Sequence, residues 1–523
     1  TEHLKTDEME SYLEEFTVNY SGIGDSSLYG GKHCGSDAEH QGAQYIYDEL
    51  KNIGIKAEML PFESARFQFN DASIIIEGEE AVKPYVCLSI GTDKDGVTGE
   101  LIDAGKGYKA FYEENDVKGK IVLIETKEDF EDGTTVGMFQ MMEAQRYGAA
   151  AVVIYTNENI YDENTIRATY GIFKPEIPVV TVSYKDAKTL KNHAGEPVVL
   201  IADAEFDKDG GTSYEVIGEI PGRTDERIIY SAHYDHFFRG IQDNVSAAGT
   251  LLAIAKALKK SGYTPNRTIT FVFSGSHEIG NMESGAPDLL GVWELLNNLK
   301  KEWKGKIFAD INFEYTALKL NALRSLVSYE MTDMYSDFLR YMPKEVEVFS
   351  SVESEIQAEE YMLLTWCDAC PFVMEGVPVF MNDAAYEQIY ENTSSYIGRD
   401  HTNKDDMSIY SKETHLTASW WYGCLGVYLD NMPVLMPDFS VRAQVMRLAD
   451  EEKTLLEKEN LDYSAFEKEL KSFELLGDVA AKLLKNFNRK EKRDFSKDAK
   501  INKALLEIQK NLADASDGLT TML

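Results

Sequence analysis

The chain has 523 residues, 43% of them apolar and 27% charged, with a formal net charge of −36. That length exceeds what one hydrophobic core supports, so roughly two to four domains are expected. That charge disfavours nucleic acid and anionic membranes as partners, since both would be repelled.

The opening TEHLKTDEMESYLEEF is polar and amphipathic, without a signal-peptide pattern. No apolar run is long enough for a bilayer, so the protein is expected not to enter membranes and to be cytoplasmic, unless a leader was removed before residue 1. Five cysteines, Cys34, Cys87, Cys367, Cys370 and Cys424, are too sparse for a disulfide framework. The CDAC at 367 to 370 has no second such pair to close a zinc knuckle and reads as two reduced thiols.

In chain order, residues 7 to 20 read as helical, and a Gly-rich loop then leads into a helix from about Asp37 to Ile53. Its apolar positions Ala43, Ile46, Tyr47 and Leu50 fall at three- and four-residue spacing. His33 and His40, in or beside that loop, read as structural or solvated. AEMLPFE and ASIIIEG follow as short strands. From 64 to 212 the texture is one of many short strands, among them KGKIVLIE, GAAAVVIY and EIPVVTVSY, with no cluster of His, Asp and Glu at ligand-like spacing. That segment reads as a lid or specificity module, whose loops supply pocket walls.

Strand and helix signals then alternate. YEVIGEIPG, an apolar run at 228 to 232, a helix at 245 to 258, TITFVFSGSHEIG, a long helical pattern at 285 to 302, KIFADINFEYTAL, the strand-like VEVFSS and GVPVFMND follow in turn. This rhythm predicts an α/β fold, a mixed, mostly parallel sheet flanked by helices. Beyond about 433, three amphipathic helical patterns at 441–460, 462–487 and 501–515 are expected to pack on the catalytic domain or on a second subunit. The expected division is a catalytic domain at 1–63 and 213–435, a β-rich insert at 64–212 and a helical region at 436–523.

The chemistry concentrates where the apolar runs end. The run at 228 to 232 ends in His233 and Asp235, and a Gly-containing loop leads to Asp243 before the next helix. In an open α/β sheet, the carboxyl ends of strands are where ligands bind. Taken alone, a His beside an Asp is ordinarily a hydrogen-bonded pair. Later runs, however, deliver His277 and Glu278, then Glu314, and a loop delivers His401. Two imidazoles and three carboxylates suit two divalent ions, zinc first, with manganese or cobalt also compatible. Asp243 would bridge them, His233 and Glu314 completing one site and Glu278 and His401 the other. Asp235 would take the second ring nitrogen of His233 and fix its tautomer.

These motifs resemble metallopeptidase family 28. The resemblance covers roughly residues 30 to 430 and rests on HYD at 233 to 235, DN at 243 to 244, HEIG at 277 to 280, NFE at 312 to 314, CDACPFVMEGVPVF at 367 to 380 and DHTNKDD at 400 to 406. The interval between His233 and Asp243 is similar to that of the glutamate carboxypeptidase branch, and the insert resembles a protease-associated domain. Three departures stand out. The family's general base is the first Glu of a Glu-Glu pair, and His277 stands there. Glu314 replaces a metal-binding Asp. Asp400 stands where that branch often has a Tyr that steadies the oxyanion. The resemblance implies a metal-dependent exopeptidase or amidohydrolase, with His277 in the place of the base. Arg239, Tyr396, Arg399 and Asp400 are the candidates for substrate contact. The same metals could instead serve a cyclase, lyase or other non-peptidase reaction, and the fold also accommodates non-catalytic scaffolds. By analogy with that branch, the C-terminal helices would form a homodimer, with a monomer that buries the same stripes as the alternative.

Overall fold

A computed structural model describes residues 3–19, 31–126, 138–156, 162–168, 175–278, 280–281, 286–318, 323–342, 356–358, 367–384, 401–489 and 494–520. The architecture is α/β, and its organising layer is a mostly parallel sheet. Arg227–His233 lies between Thr268–Ser274 and Ile307–Phe313 and runs parallel to both. Val379–Ala384 continues the parallel set, and Leu323–Val327 and Pro197–Ile220 add antiparallel neighbours on either side. Along Ile307–Phe313 every residue is buried, and along Arg227–His233 all but the first. That is why these runs are apolar throughout rather than alternating, as befits a sheet covered on both faces.

The register aligns the strand ends. His233 pairs with Ser274, Asn312 with Ser231, and Phe313 with Asn382. Residues that follow these positions therefore emerge along one rim. Ser246–Lys260 starts at that rim and buries Ala247, Ala248, Leu251, Leu252, Ile254 and Ala255.

The runs AEMLPFE and ASIIIEG are not two short strands. They belong to one strand, Lys56–Ile75, paired antiparallel with Pro197–Ile220 along its length. Bulges at Ser64/Arg66 and Phe69/Asp71 absorb the polar stretch between the runs. This ribbon leads from the main sheet to a second body, in which Val97–Asp103, Ile121–Thr126, Ala151–Thr156 and Val179–Val182 run parallel. Leu123, Val153 and Val180 belong to one apolar cluster of that body, and Val122, Val152 and Ile154 to another on the opposite face. Glu63 and Thr212, at the expected borders of the insert, face each other on a single rung of the ribbon.

The pattern at 285 to 302 forms no continuous helix. A short strand, Ala286–Leu289, precedes a helical turn, Leu290–Glu294, a wider turn, Leu295–Leu299, and a tight turn, Lys301–Trp303. Pro287 removes a backbone donor and disfavours helix before it. The pattern at 441 to 460 also divides, into Phe439–Val445 and Asp450–Lys458. Three acidic residues open the second piece, and the Glu452 carboxylate accepts from the Ala449 N–H at 2.6 Å, so a new helix starts there. Ser464–Asn488 and Phe495–Thr520 complete the region. The strand expected at VEVFSS lies outside the described residues. Among the described residues, no helix is long and apolar enough to cross a membrane.

Candidate metal centre

His233 is the last residue of its strand and is fully buried. Asp243 sits in the turn Ile241–Val245, in non-helical geometry. The Asp405 carboxylate holds this turn by accepting from the Gln242 N–H at 2.6 Å and the Asp243 N–H at 3.2 Å. Asn244 Nδ2 donates to the Phe313 carbonyl at 2.8 Å, and Asn382 Nδ2 to the Glu314 carbonyl at 2.6 Å. Ser276, Tyr315 and His401 all have left-handed backbones, with φ of 53°, 55° and 54°. Strain of about 1–3 kcal/mol per such residue persists only where the surroundings over-determine it, and here it adjoins or includes proposed ligands.

The five ligand candidates converge around Asp243. Its Oδ1 lies 3.2 Å from His233 Nε2, which is 3.6 Å from Glu314 Oε2. Its Oδ2 lies 2.7 Å from His401 Nε2, which is 3.2 Å from Glu278 Oε1. One carboxylate thus faces two half-sites, each completed by one imidazole and one further carboxylate. The additional methylene of Glu314 does not carry its carboxylate away from the group.

Asp235 plays a different part from the one expected. His233 Nδ1 meets the Asp235 main-chain carbonyl at 3.0 Å, with the carboxylate farther off at 3.6 Å. That carboxylate accepts instead from the N–H groups of His277 and Glu278, both at 3.0 Å. A backbone carbonyl accepts as a carboxylate does, so His233 still keeps its proton on Nδ1 and its lone pair on Nε2. Asp235 fixes the His277-Glu278 segment.

His277 Nδ1 meets Asp368 Oδ1 at 2.8 Å, and its ring lies on that of His233, centroids 3.7 Å apart and planes 7° apart. His277, His233 and Glu314 are close enough to hold an ion together. The stacking argues against that set. An imidazole lone pair lies in its ring plane, so lone pairs in two nearly parallel stacked planes cannot converge on one cation. His277 therefore stands beside the ligand group, its Nδ1 committed to Asp368.

Burial pushes the Glu278 carboxyl up to about 7, against the pull of His401, and raises Glu314 as well. Burial also opposes ionisation of Asp243, yet His401 and His233 hold it well below the usual carboxylate range. For His277, burial and His233 favour the neutral ring, but Asp368 outweighs them and the value rises to about 9. Opposed oxygens and nitrogens at 2.7 to 3.6 Å attract only if protons or cations lie between them. His233 Nε2, Glu278 Oε1 and Glu314 Oε1 are buried without a hydrogen-bond partner among the described residues. Divalent metal fits this donor set and would displace its protons.

Arg239 lies half-buried in the turn that leads to Gly240. Tyr396, Arg399 and Asp400 lie outside the described residues. Asp368 and Asp405 were not singled out, although both belong to quoted motifs. Nor was the insert's contribution. Arg167 pairs with Thr402, the Ala168 N–H donates to the His401 carbonyl at 2.8 Å, and the Ile166 N–H to Asn403 Oδ1 at 3.0 Å. Residues 162 to 168 thus brace the loop that carries His401, and nothing in their local sequence signals it. None of the five cysteines forms a disulfide, and Cys367 and Cys370 flank Asp368 in a turn.

Residues 215–421 match the family model of peptidase family M28, and residues 97–190 that of the PA domain. The "Probable lipoprotein aminopeptidase LpqL" of Mycobacterium tuberculosis is 26% identical over 263 residues, 48% of this chain and 49% of its own. Carboxypeptidase Q of Xenopus laevis is 26% identical over 269 residues, 48% of this chain and 57% of its own. The chain thus spans about half the length of the curated relatives it matches. Among solved structures, BSAP, a zinc aminopeptidase from Bacillus subtilis, shares the fold with a TM-score of 0.60 at 21% identity, over 81% of this chain and 95% of its own. A peptidase M28 precursor from Shewanella amazonensis gives 0.56 at 18%, over 81% and 96%.

Proposed function

We propose, from the match of residues 215–421 to peptidase family M28 and of residues 97–190 to the PA domain, that this chain is a metal-dependent exopeptidase that hydrolyses an amide of a small peptide or acylated amino acid. The observation that carries this reading is the division of the Asp243 carboxylate between two half-sites. His233 and Glu314 would hold one divalent ion, and Glu278 and His401 the other. Zinc suits the set, as do manganese and cobalt. When bound, such a pair supplies Lewis acidity toward the scissile carbonyl and acidifies water.

The chain's own residues do the rest. An ionised carboxylate can only accept, so the contact of Asp368 with Nδ1 leaves the lone pair of neutral His277 on Nε2. His277 takes up the proton released from water at that atom, and Asp368 balances the charge that forms. His277 then returns the proton to the leaving amine. Asp235, through the His277 and Glu278 N–H groups, keeps base and ligand in fixed relation. Arg239, Tyr396, Arg399 and Asp400 stay the candidates for holding the rest of the substrate.

Asp243→Asn tests the reading. Elemental analysis is expected to show loss of at least one ion per chain, and hydrolysis of aminoacyl nitroanilides and N-acyl amino acids should fall by about 10³-fold or more. Metal-replete protein that turns over no member of such panels would count against it. The His277–Asp368 pair, in place of a Glu base, favours a second reading in which the same metals serve a non-peptidase reaction on a small metabolite. If His277→Glu raises peptidase activity while it abolishes another turnover, that second reading is the right one.

A further inference from the structure

Glu39 lies in the first turn of the helix Asp37–Ile53, which Ser36 caps. At that spacing from the cap, a Glu ordinarily reaches back to the N–H of the cap residue. Here the Ser36 N–H donates to the His33 carbonyl instead, and the Glu39 side chain is fully buried. Its Oε2 accepts from the Gly35 N–H at 2.6 Å, and its Oε1 from the Ser213 hydroxyl at 2.6 Å and the Ser276 N–H at 3.0 Å. The last of these contacts spans 237 residues of chain.

Ser276 directly precedes His277 and Glu278 and has a left-handed backbone, with φ of 53°. Three successive N–H groups of this turn are taken by buried carboxylates, that of Ser276 by Glu39 and those of His277 and Glu278 by Asp235. Gly275 lets the turn lie directly on its supports, since a Cβ there would meet Ser213 Oγ at 2.3 Å, Tyr234 Oη at 2.7 Å and Glu39 Oε1 at 2.9 Å. We propose that Glu39 is a positioning residue, which keeps Ser276 left-handed through its N–H and thereby aims the His277 ring and the Glu278 carboxylate. The roles of those two residues rest on the exopeptidase reading. Glu39 itself lies outside residues 215–421, which match the peptidase model, so the N-terminal helix becomes part of the support of the centre.

Burial, then the charge of Asp235, pushes the Glu39 carboxyl up to about 8. A proton placed between Oε1 and Ser213 leaves both oxygens able to accept from the two N–H groups, so the device works in either state. An amide does not replace it. One corner of Gln only donates, so either the Gly35 or the Ser276 N–H would lose its acceptor.

Glu39→Gln in the full, zinc-loaded chain tests this. Its kcat should fall by about 10–100-fold with KM within about threefold, and zinc affinity, read by chelator competition, should weaken by about 10–100-fold. Adding Ser276→Gly supplies a residue that adopts the left-handed backbone without a Cβ penalty, and should recover kcat by about threefold or more. Ser36→Ala removes the cap of the same helix and should lower the urea midpoint while kcat and zinc affinity stay at the parent's values. If Glu39→Gln does not fold, Glu39→Asp, one methylene too short to reach both N–H groups, should show a smaller loss of the same kind. Glu39 variants with the parent's kcat and zinc affinity overturn the proposal. So does a double variant no better than Glu39→Gln, or an equal loss in Ser36→Ala. A parent chain that hydrolyses no peptide or N-acyl amino acid refutes the exopeptidase reading instead, and zinc affinity then still decides the part of Glu39.

Discussion

Replacing Asp368 with Asn keeps the shape beside His277 but turns an obligate acceptor into a group that can also donate. The ring could then settle with its proton on Nε2, the atom the proposed reaction needs as acceptor. Asp368→Asn is expected to lower kcat by about 10²–10⁴-fold, with KM and metal content nearly unchanged. Steady-state kinetics beside elemental analysis decide it, since a merely structural role would reduce metal and activity together. The difference between Asp368 and the five ligand candidates explains what could be read ahead of the structure. His233, Glu278 and Glu314 each end or follow an apolar run of their own, so strand periodicity set these three at one rim. Asp368 matters because the fold brings it across 91 residues of chain to one ring nitrogen. Asp235 shows the opposite error. Its nearness to His233 in sequence suggested a ring contact that the backbone carbonyl makes instead.

Helices and strands were legible where one period ran unbroken, as in Asp37–Ile53, whose N-cap Ser36 accepts from the Glu39 N–H and whose C-cap Gly54 adopts a left-handed backbone. They were misread where packing overrode the pattern, as along Lys56–Ile75, where bulges join two apolar runs into one strand. Gly477 shows how packing constrains an element that its own residues favour. A Cβ there would meet Ser440 N at 2.4 Å and the Phe439 carbonyl carbon at 2.8 Å, both backbone atoms that cannot swing aside. Inside a helix, Gly→Ala ordinarily gains up to about 1 kcal/mol. Here overpacking should outweigh that gain, and Gly477→Ala is expected to destabilise the protein by about 1–3 kcal/mol in urea unfolding. A stabilised variant would mean that the helix is free to lift from Phe439–Val445.

Stability as a function of pH belongs to the whole chain, and Lys32 makes a separable contribution to it. Its ammonium is fully buried over the Phe16 ring and donates to the Phe16 carbonyl at 2.6 Å. Burial lowers its pKa from 10.5 to about 7. Between those values the unfolded chain holds the proton and the folded chain releases it, so this group's share of stability rises with pH. Below about 7 the full cost of a buried charge is present. Lys32→Met removes that cost, and its advantage over the parent should narrow by about 2–3 kcal/mol from pH 7 to pH 9. Paired urea titrations measure the narrowing, and a gap that stays constant or widens with pH would refute the assignment. The amino-acid pattern could not reveal this site, because Lys32 becomes buried only when residues 31 to 36 close over His236.

The hydrogen bonds from residues 162 to 168 to the His401 loop tie two bodies together at the most consequential place available. Three strands of the main sheet bring the other ligand candidates into place, but His401 leans on a neighbour that is folded around apolar clusters of its own. Whatever unseats that neighbour, whether heat, a protease or a bulky cargo wedged beneath it, would slacken one half of the centre and leave the other gripped. Damage would then begin at the His401 loop, well before the central sheet gives way.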